Sequence, residues 1–182
     1  GPVTLAGALA QSGAEILAGL VVHQLAGPGA PVISGSAIMP LDLRTGTVAY
    51  GSPEYVLACL GAVDYFEQLG VPTWIGAGCS DAHTVDAQAA AEAGLNMLAA
   101  AASGTAFVHN LGYLSGGRTG SLEMLLLCDE IAAAVRAARR GIPVDEDTLA
   151  VEVTRRAWKD GSFLTDAHTL AHMRKAMWRP DL

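Results

Sequence analysis

Charge, aromatic rings and cysteine are all scarce in this chain, and each shortage removes a class of explanation. Charged residues make up 16 % of the 182 positions, against 51 % hydrophobic. A chain of that mix buries a core and is not a disordered, solvated segment. Eleven basic residues stand against eighteen acidic ones, a formal net charge of −7, whereas a nucleic-acid surface concentrates positive charge. The densest basic runs, Arg136, Arg139, Arg140 and then Arg155, Arg156, read as solvated helix faces. The three cysteines, Cys59, Cys79 and Cys128, form no CxxC pair. A cysteine-built zinc site is therefore excluded, no metal site is expected, and the odd count suits a reducing compartment. No basic-then-apolar leader opens the chain. The most apolar windows, such as the alanines around Ala99, fall short of the 18 or so apolar residues that a membrane span needs. These absences describe a cytoplasmic protein with neither a membrane nor a nucleic-acid partner.

What is present is a repeating order of elements. Leu5, Leu9, Ile16, Leu20 and Leu25 lie at helical spacing over 4–25, and Gly27-Pro28 stops that helix. Pro31–Gly35 reads as a buried strand. A Gly-rich stretch leads to Ser52, an N-cap followed by Pro53 at the first helical position and Glu54 in the first turn. This helix runs to Gly70, its C′ residue. A strand over Val71–Ile75, a loop over Gly76–His83 and an alanine-rich helix over 84–102 follow. A third strand, Thr105–His109, leads through a second Gly-rich loop, Asn110–Gly120, to a helix from Ser121 to Arg140. Gly141-Ile142-Pro143 breaks it. Asp145 opens a helix to Trp158, and Asp166 caps a last one. Strands near 32, 72 and 106 that alternate with helices must pair in parallel and be covered on both faces. The class is α/β, a single domain over 1–182 whose residues 142–182 form a helical extension. Three strands leave two open edges, so further strands are expected ahead of Gly1, and self-association is expected of the chain alone.

In parallel α/β sheets ligands bind beyond the carboxyl ends of the strands. That selects the loops 35–51, 76–83 and 109–119, which are long and glycine-rich where the opposite loops are short. In the middle loop Gly76 and Gly78 allow close backbone approach, and Asp81 and His83 follow. Asp81 is either an acid that stabilises a cation or the cap of the helix near Thr84; His83 is either its partner or a solvated side chain. His109, at a strand end, is a pocket residue or a core histidine. Trp74, Tyr50 and Tyr113 are candidate walls of a cation site, with ordinary packing as the alternative. His23, His168 and His172 lie on helices and read as structural or exposed. Three motifs fail. Asp81 occupies the third glycine of a GxGxxG, no Walker A is present, and the DxHxxG of corrinoid-binding folds starts at Asp81 and at Asp166 but ends at Asp86 and Ala171.

In combination these segments resemble the trimethylamine methyltransferase (MttB) superfamily. The matching stretches are Gly1–Leu9, Gln24–Val32, Asp42–Gly46 ahead of Gly51–Tyr55, Gly76–Ala82 followed by Asp86–Ala89, His109, Gly112–Gly117, Ser121–Glu123, Phe163–Arg174 and Trp178–Leu182. All residues are standard, which places the resemblance with the non-pyrrolysine branch that includes glycine betaine methyltransferase. The resemblance implies a partial TIM (β/α)8 barrel, its C-terminal portion, in a homo-oligomeric enzyme. It further implies transfer of a methyl group from a small methylated amine to the cobalt of a cognate corrinoid protein, so that this chain binds no cofactor itself. Asp81, His83 and His109 are then the catalytic candidates, and Tyr50, Trp74, Gly76, Gly78 and Tyr113 the substrate-binding ones. Two rivals stay open: another barrel enzyme such as a lyase or aldolase, and a non-catalytic barrel half with an assembly role. Schiff-base chemistry would want a lysine at a strand end, and the only lysines, Lys159 and Lys175, stand on or beside late helices.

Overall fold

A computed structural model describes residues 1–35 and 38–180. The first Gly-rich loop and the terminal Trp178–Leu182 motif therefore lie partly outside the described residues. The chain forms two compact units, Gly1–Val135 and Arg136–Leu182.

The first unit opens with α1 (Leu5–Ala26), whose buried residue is Gly13. A Cβ at Gly13 would press on the Tyr65 ring at 2.9 Å, and one at Gly61 would meet Leu9 at 2.8 Å. These two glycines thus let α1 lie close on the helix that carries Gly61 and Tyr65. One expectation is corrected here, because α1 is long and apolar enough to cross a membrane by length and composition. Leu5, Leu9, Ile16 and Leu20 are partly buried in line with Gly13, as the spacing suggested, whereas Leu25 is exposed, as are Val21 and Val22.

Three strands form the sheet in the order expected. β1 (Ser34–Gly35) pairs in parallel with β4 (Thr73–Gly76), and β4 with β5 (Phe107–His109). β1 is shorter than the run 31–35 and less buried. Pro31 has no N–H to give, its carbonyl faces His23 Nε2 at 3.3 Å, and Ile33 is half exposed. The Gly-rich stretches each hide a hairpin that the sequence reading missed: β2 (Leu41–Asp42) with β3 (Thr47–Val48), and β6 (Tyr113–Leu114) with β7 (Thr119–Gly120). Two-residue strands show no readable alternation.

The helices follow their caps. α2 (Pro53–Glu67) starts where Ser52 Oγ accepts from Tyr55 N–H at 3.2 Å. α3 (Ala87–Ala102) starts later than Thr84, because its cap is Asp86, which accepts from Ala89 N–H at 3.0 Å. Asp81 is therefore not the cap of this helix. α4 (Leu122–Ala138) follows Ser121, whose Oγ accepts from Met124 N–H at 3.1 Å. The core gathers Phe66, Ile75, Cys79, Met124 and Cys128, all fully buried.

The second unit is helical. The expected helix from 145 to 158 is two, α5 (Glu146–Leu149) and α6 (Val151–Asp160), parted by Ala150 at φ 52°. Alanine is the strongest helix former and rarely takes that conformation, so nothing in the sequence marked the break. α7 (Ala167–Ala176) is capped by Asp166, as expected; its carboxylate accepts from His168 N–H at 2.9 Å and from Arg156 at 3.0 Å. The backbone bond from His168 first, and Arg156 second, hold the Asp166 carboxyl below its ordinary value. A carboxylate lowered on folding stabilises the fold above the unfolded value and loses that contribution as the pH falls through the folded one. Helicity of this unit is thus expected to decline as the pH drops below about 4. Circular dichroism should show the decline blunted in Asp166→Asn, which keeps a capping oxygen but does not titrate; equal acid profiles would refute it.

Candidate functional site

The loop after β4 is held from the helix that follows it. Asn96 Oδ1 accepts from Gly78 N–H at 2.7 Å, and its Nδ2 donates to the Cys79 carbonyl at 3.1 Å. One turn earlier on the same face of α3, Glu92 accepts from Ser80 Oγ at 2.6 Å and from Asp81 N–H at 2.8 Å. From α4 the Cys128 thiol donates to the Gly78 carbonyl at 3.2 Å. Asn96 and Glu92 are masked in the sequence by the alanines around them, which match a packing stripe. The signal was there: two polar residues four apart on a helix otherwise built to lie against a sheet. Burial pushes the Cys79 thiol up to about 12, and raises those of Cys59 and Cys128 as well. These thiols stay protonated, and none is an activated nucleophile.

Asp81 joins this loop to the first one. Its two carboxylate oxygens accept from Tyr50 N–H and Gly51 N–H, both at 2.9 Å. Tyr50 is buried, its ring edge-on to Tyr55 at 5.0 Å between centroids, and its hydroxyl donates to Met39 Sδ at 3.4 Å. The third loop is tied in by the backbone: Ser80 N–H donates to the Tyr113 carbonyl, Gly112 N–H to Gly78 and Ser115 N–H to Ala82. His83 is exposed, with Nδ1 2.9 Å from Ser115 Oγ. The Tyr113 side chain is 42 % exposed. The structure thus brings Asp81, Tyr50 and the backbone of Tyr113 together, while His83 stands outward over the third loop.

His109 belongs to a different surface. Register partners in a parallel sheet share a face, and alternate residues of one strand return to it. Gly35, Trp74 and Phe107 are such partners, and His109 follows Phe107 by two. Ile75, of opposite parity, enters the core against the helices. A Cβ at Gly35 would overlap the Trp74 indole, so the missing side chain is what gives the ring its place. The Trp74 ring meets His109 edge-on at 4.5 Å. His109 Nδ1 lies 2.8 Å from Asn110 Oδ1, and Nε2 is buried with no hydrogen-bond partner among the described residues. Asn110 itself takes φ 72°, an uncommon state for a non-glycine residue. Gly76 lies beside His109 in register, and a Cβ there would overlap the Tyr55 hydroxyl.

A groove of about 900 Å³ in the same unit runs between α1 and the β2–β3 hairpin, lined by Gln11, Glu15, Met39, Leu41, Ser52 and Glu54 among others. None of Asp81, His83, His109, Trp74 or Tyr113 lines it. On the sheet face Phe107 is 59 % exposed at the edge, whereas Trp74 and His109 are half-buried.

Comparison with known proteins places this geometry in context. A family model described as trimethylamine methyltransferase (MTTB) matches residues 1–182. A glycine betaine methyltransferase of Desulfitobacterium hafniense strain Y51 is 37 % identical over 100 % of this chain and 38 % of its own length. A trimethylamine methyltransferase MttB of Methanosarcina barkeri strain Fusaro is 39 % identical over 90 % of this chain and 33 % of its own. A second MttB, from Desulfitobacterium hafniense strain DCB-2, is 34 % identical over 94 % and 35 %. The chain therefore spans about a third of the length of the relatives it matches.

Proposed function

Because the chain belongs to the trimethylamine methyltransferase (MTTB) family, we propose that it supplies part of an enzyme that removes a methyl group from a methylated amine or betaine. In this reading its three strands belong to a (β/α) barrel whose other strands lie elsewhere in a polypeptide of family length, and the face carrying Gly35, Trp74 and His109 turns to the barrel interior. The observation that carries it is the buried Nε2 of His109, unpartnered among the described residues, beside the Trp74 ring. An orphaned polar atom at a strand end calls for a partner that the described residues do not provide.

The residues divide the work without forming a bond to substrate. The Trp74 face attracts a trimethylammonium group, an interaction of about 0.5–2 kcal/mol. His109, its ring oriented by Asn110, uses Nε2 to hold the polar end of the substrate, a carboxylate in the betaine case. Asp81 acts through the backbone: by gripping Tyr50 and Gly51 it fixes the first loop against the second, and Tyr113 and His83 rim the third. Dry walls around the cation and one methyl held outward are what in-line displacement requires. When a cognate corrinoid protein is docked, its reduced cobalt supplies the nucleophile that accepts the methyl group. This chain carries no DxHxxG of its own, which fits a cofactor held by the partner.

Calorimetry on the family-length protein tests the cation site. Glycine betaine or trimethylamine is expected to bind at least tenfold more weakly to Trp74→Ala, a loss of about 1.4 kcal/mol. The neutral isostere of betaine, with carbon in place of nitrogen, should bind wild type no better than the variant. Equal binding of isostere and betaine would end the reading of Trp74 as a cation wall.

A further inference from the structure

The unit Arg136–Leu182 holds a constellation that neither the sheet face nor the loops involve. His168 and His172 stand four residues apart on α7, so they share one face of the helix. Asp147, from the single turn of α5, meets both. His172 Nε2 lies 3.0 Å from Asp147 Oδ2, and His168 Nε2 lies 2.9 Å from the Asp147 carbonyl oxygen and 3.9 Å from Oδ1. The two imidazoles are tilted at 36° with centroids 4.3 Å apart. One donor atom from each of the three side chains falls within 4.8 Å of the others. The cluster opens on a cavity of about 730 Å³, lined also by Glu146, Ala150, Glu152 and Arg156.

From this geometry we infer that Asp147, His168 and His172 form a binding site for a borderline divalent ion of the Zn2+ class. The donor set selects the metal. Two imidazole nitrogens and a carboxylate suit zinc and its neighbours, whereas Ca2+ and Mg2+ take oxygen alone. Two ligands each about 2.1 Å from one zinc ion stand no more than about 4.2 Å apart. The three donor atoms lie within 4.8 Å of one another, so ligation draws them slightly closer and releases His168 Nε2 from the Asp147 carbonyl.

The position gives the ion a purpose. Neither α5 nor α7 buries a residue, and the core of this unit contains little beyond Val153 and Ala157. A helical unit with so thin a core gains most from a staple, and metal binding to the folded form stabilises it by mass action. The ion would bind α5 to α7 across the Ala150 break. The absence of a CxxC pair says nothing against such a site, because it contains no cysteine; its sequence mark is the H-x3-H spacing on α7.

The test uses the full polypeptide, stripped by chelator and titrated with Zn2+ and, separately, Co2+. Wild type should take up one equivalent, raise its thermal midpoint with added Zn2+, and show the visible absorption of Co2+ in a nitrogen–oxygen site. His172→Ala and the near-isosteric Asp147→Asn should each weaken uptake at least tenfold and lose the thermal gain, with unchanged circular dichroism before metal is added. His23→Ala should behave as wild type. Failure of wild type to bind saturably would overturn the proposal. So would uptake that survives in both variants, which would place the metal on other groups, or equal competition by Mg2+, which would reduce it to loose carboxylate binding.

Discussion

Asn96→Ala is expected to cost about 3 kcal/mol of stability, the largest loss from any polar substitution in the first unit. Asn96 is 4 % exposed and spends both ends of its amide on the backbone of one loop, at Gly78 N–H and the Cys79 carbonyl. Truncation strands two buried backbone groups that water cannot reach, at about 1–3 kcal/mol each, and leaves a small void besides. Asn96→Asp keeps the acceptor for Gly78 but, when ionised, offers no donor to Cys79. It should fall between Ala and wild type in urea unfolding at neutral pH. If Asn96→Ala unfolds at the wild-type midpoint with the same slope, the amide does not hold the loop.

Gly35→Val is expected to lower affinity for a quaternary ammonium substrate by up to about a hundredfold in the family-length protein, with folding largely retained. Valine is well suited to a strand, so the backbone has no objection to it. The objection comes from the neighbouring strand, where the new Cβ overlaps the indole of Trp74. Overpacking of this kind costs about 1–3 kcal/mol, and the ring relieves it by leaving its place beside His109. If the ring's position is what the substrate reads, Gly35→Val and Trp74→Ala should be non-additive, because the second change removes what the first displaces. Additive losses, or normal binding by Gly35→Val, would show that the sheet face takes no part.

The helices and the parallel order of the three strands were legible in the sequence because their signals are local. Ser52-Pro53-Glu54, Asp166 and Ser121 each announce a helix start through one side chain and one backbone N–H, and a βαβ alternation admits few topologies. Long-range pairings left no such trace. Nothing near Asp81 says that its carboxylate reaches back 31 residues to Tyr50 N–H. The hairpins at 41–48 and 113–120 are too short for a period to show. Trp74 and His109 were singled out separately by their positions on strands, but their contact depends on Gly35, on a third strand. Ala150 gave no warning at all, since its left-handed turn runs against the residue's own preference.

The hydrogen bonds between the three loops also bear on how the molecule can move. Asp81 couples the second loop to the first, the Ser80, Gly112 and Ser115 amides couple it to the third, and Asn96 and Glu92 couple it to α3. A free loop flexes in nanoseconds to microseconds. Here no one of the three can swing out without breaking bonds to its neighbours, so the rim is displaced as a single body or stays in place. If the proposed site is right, ligand exchange across this rim is a concerted event, paced by the Asp81, Glu92 and Asn96 side chains together with the three backbone amides.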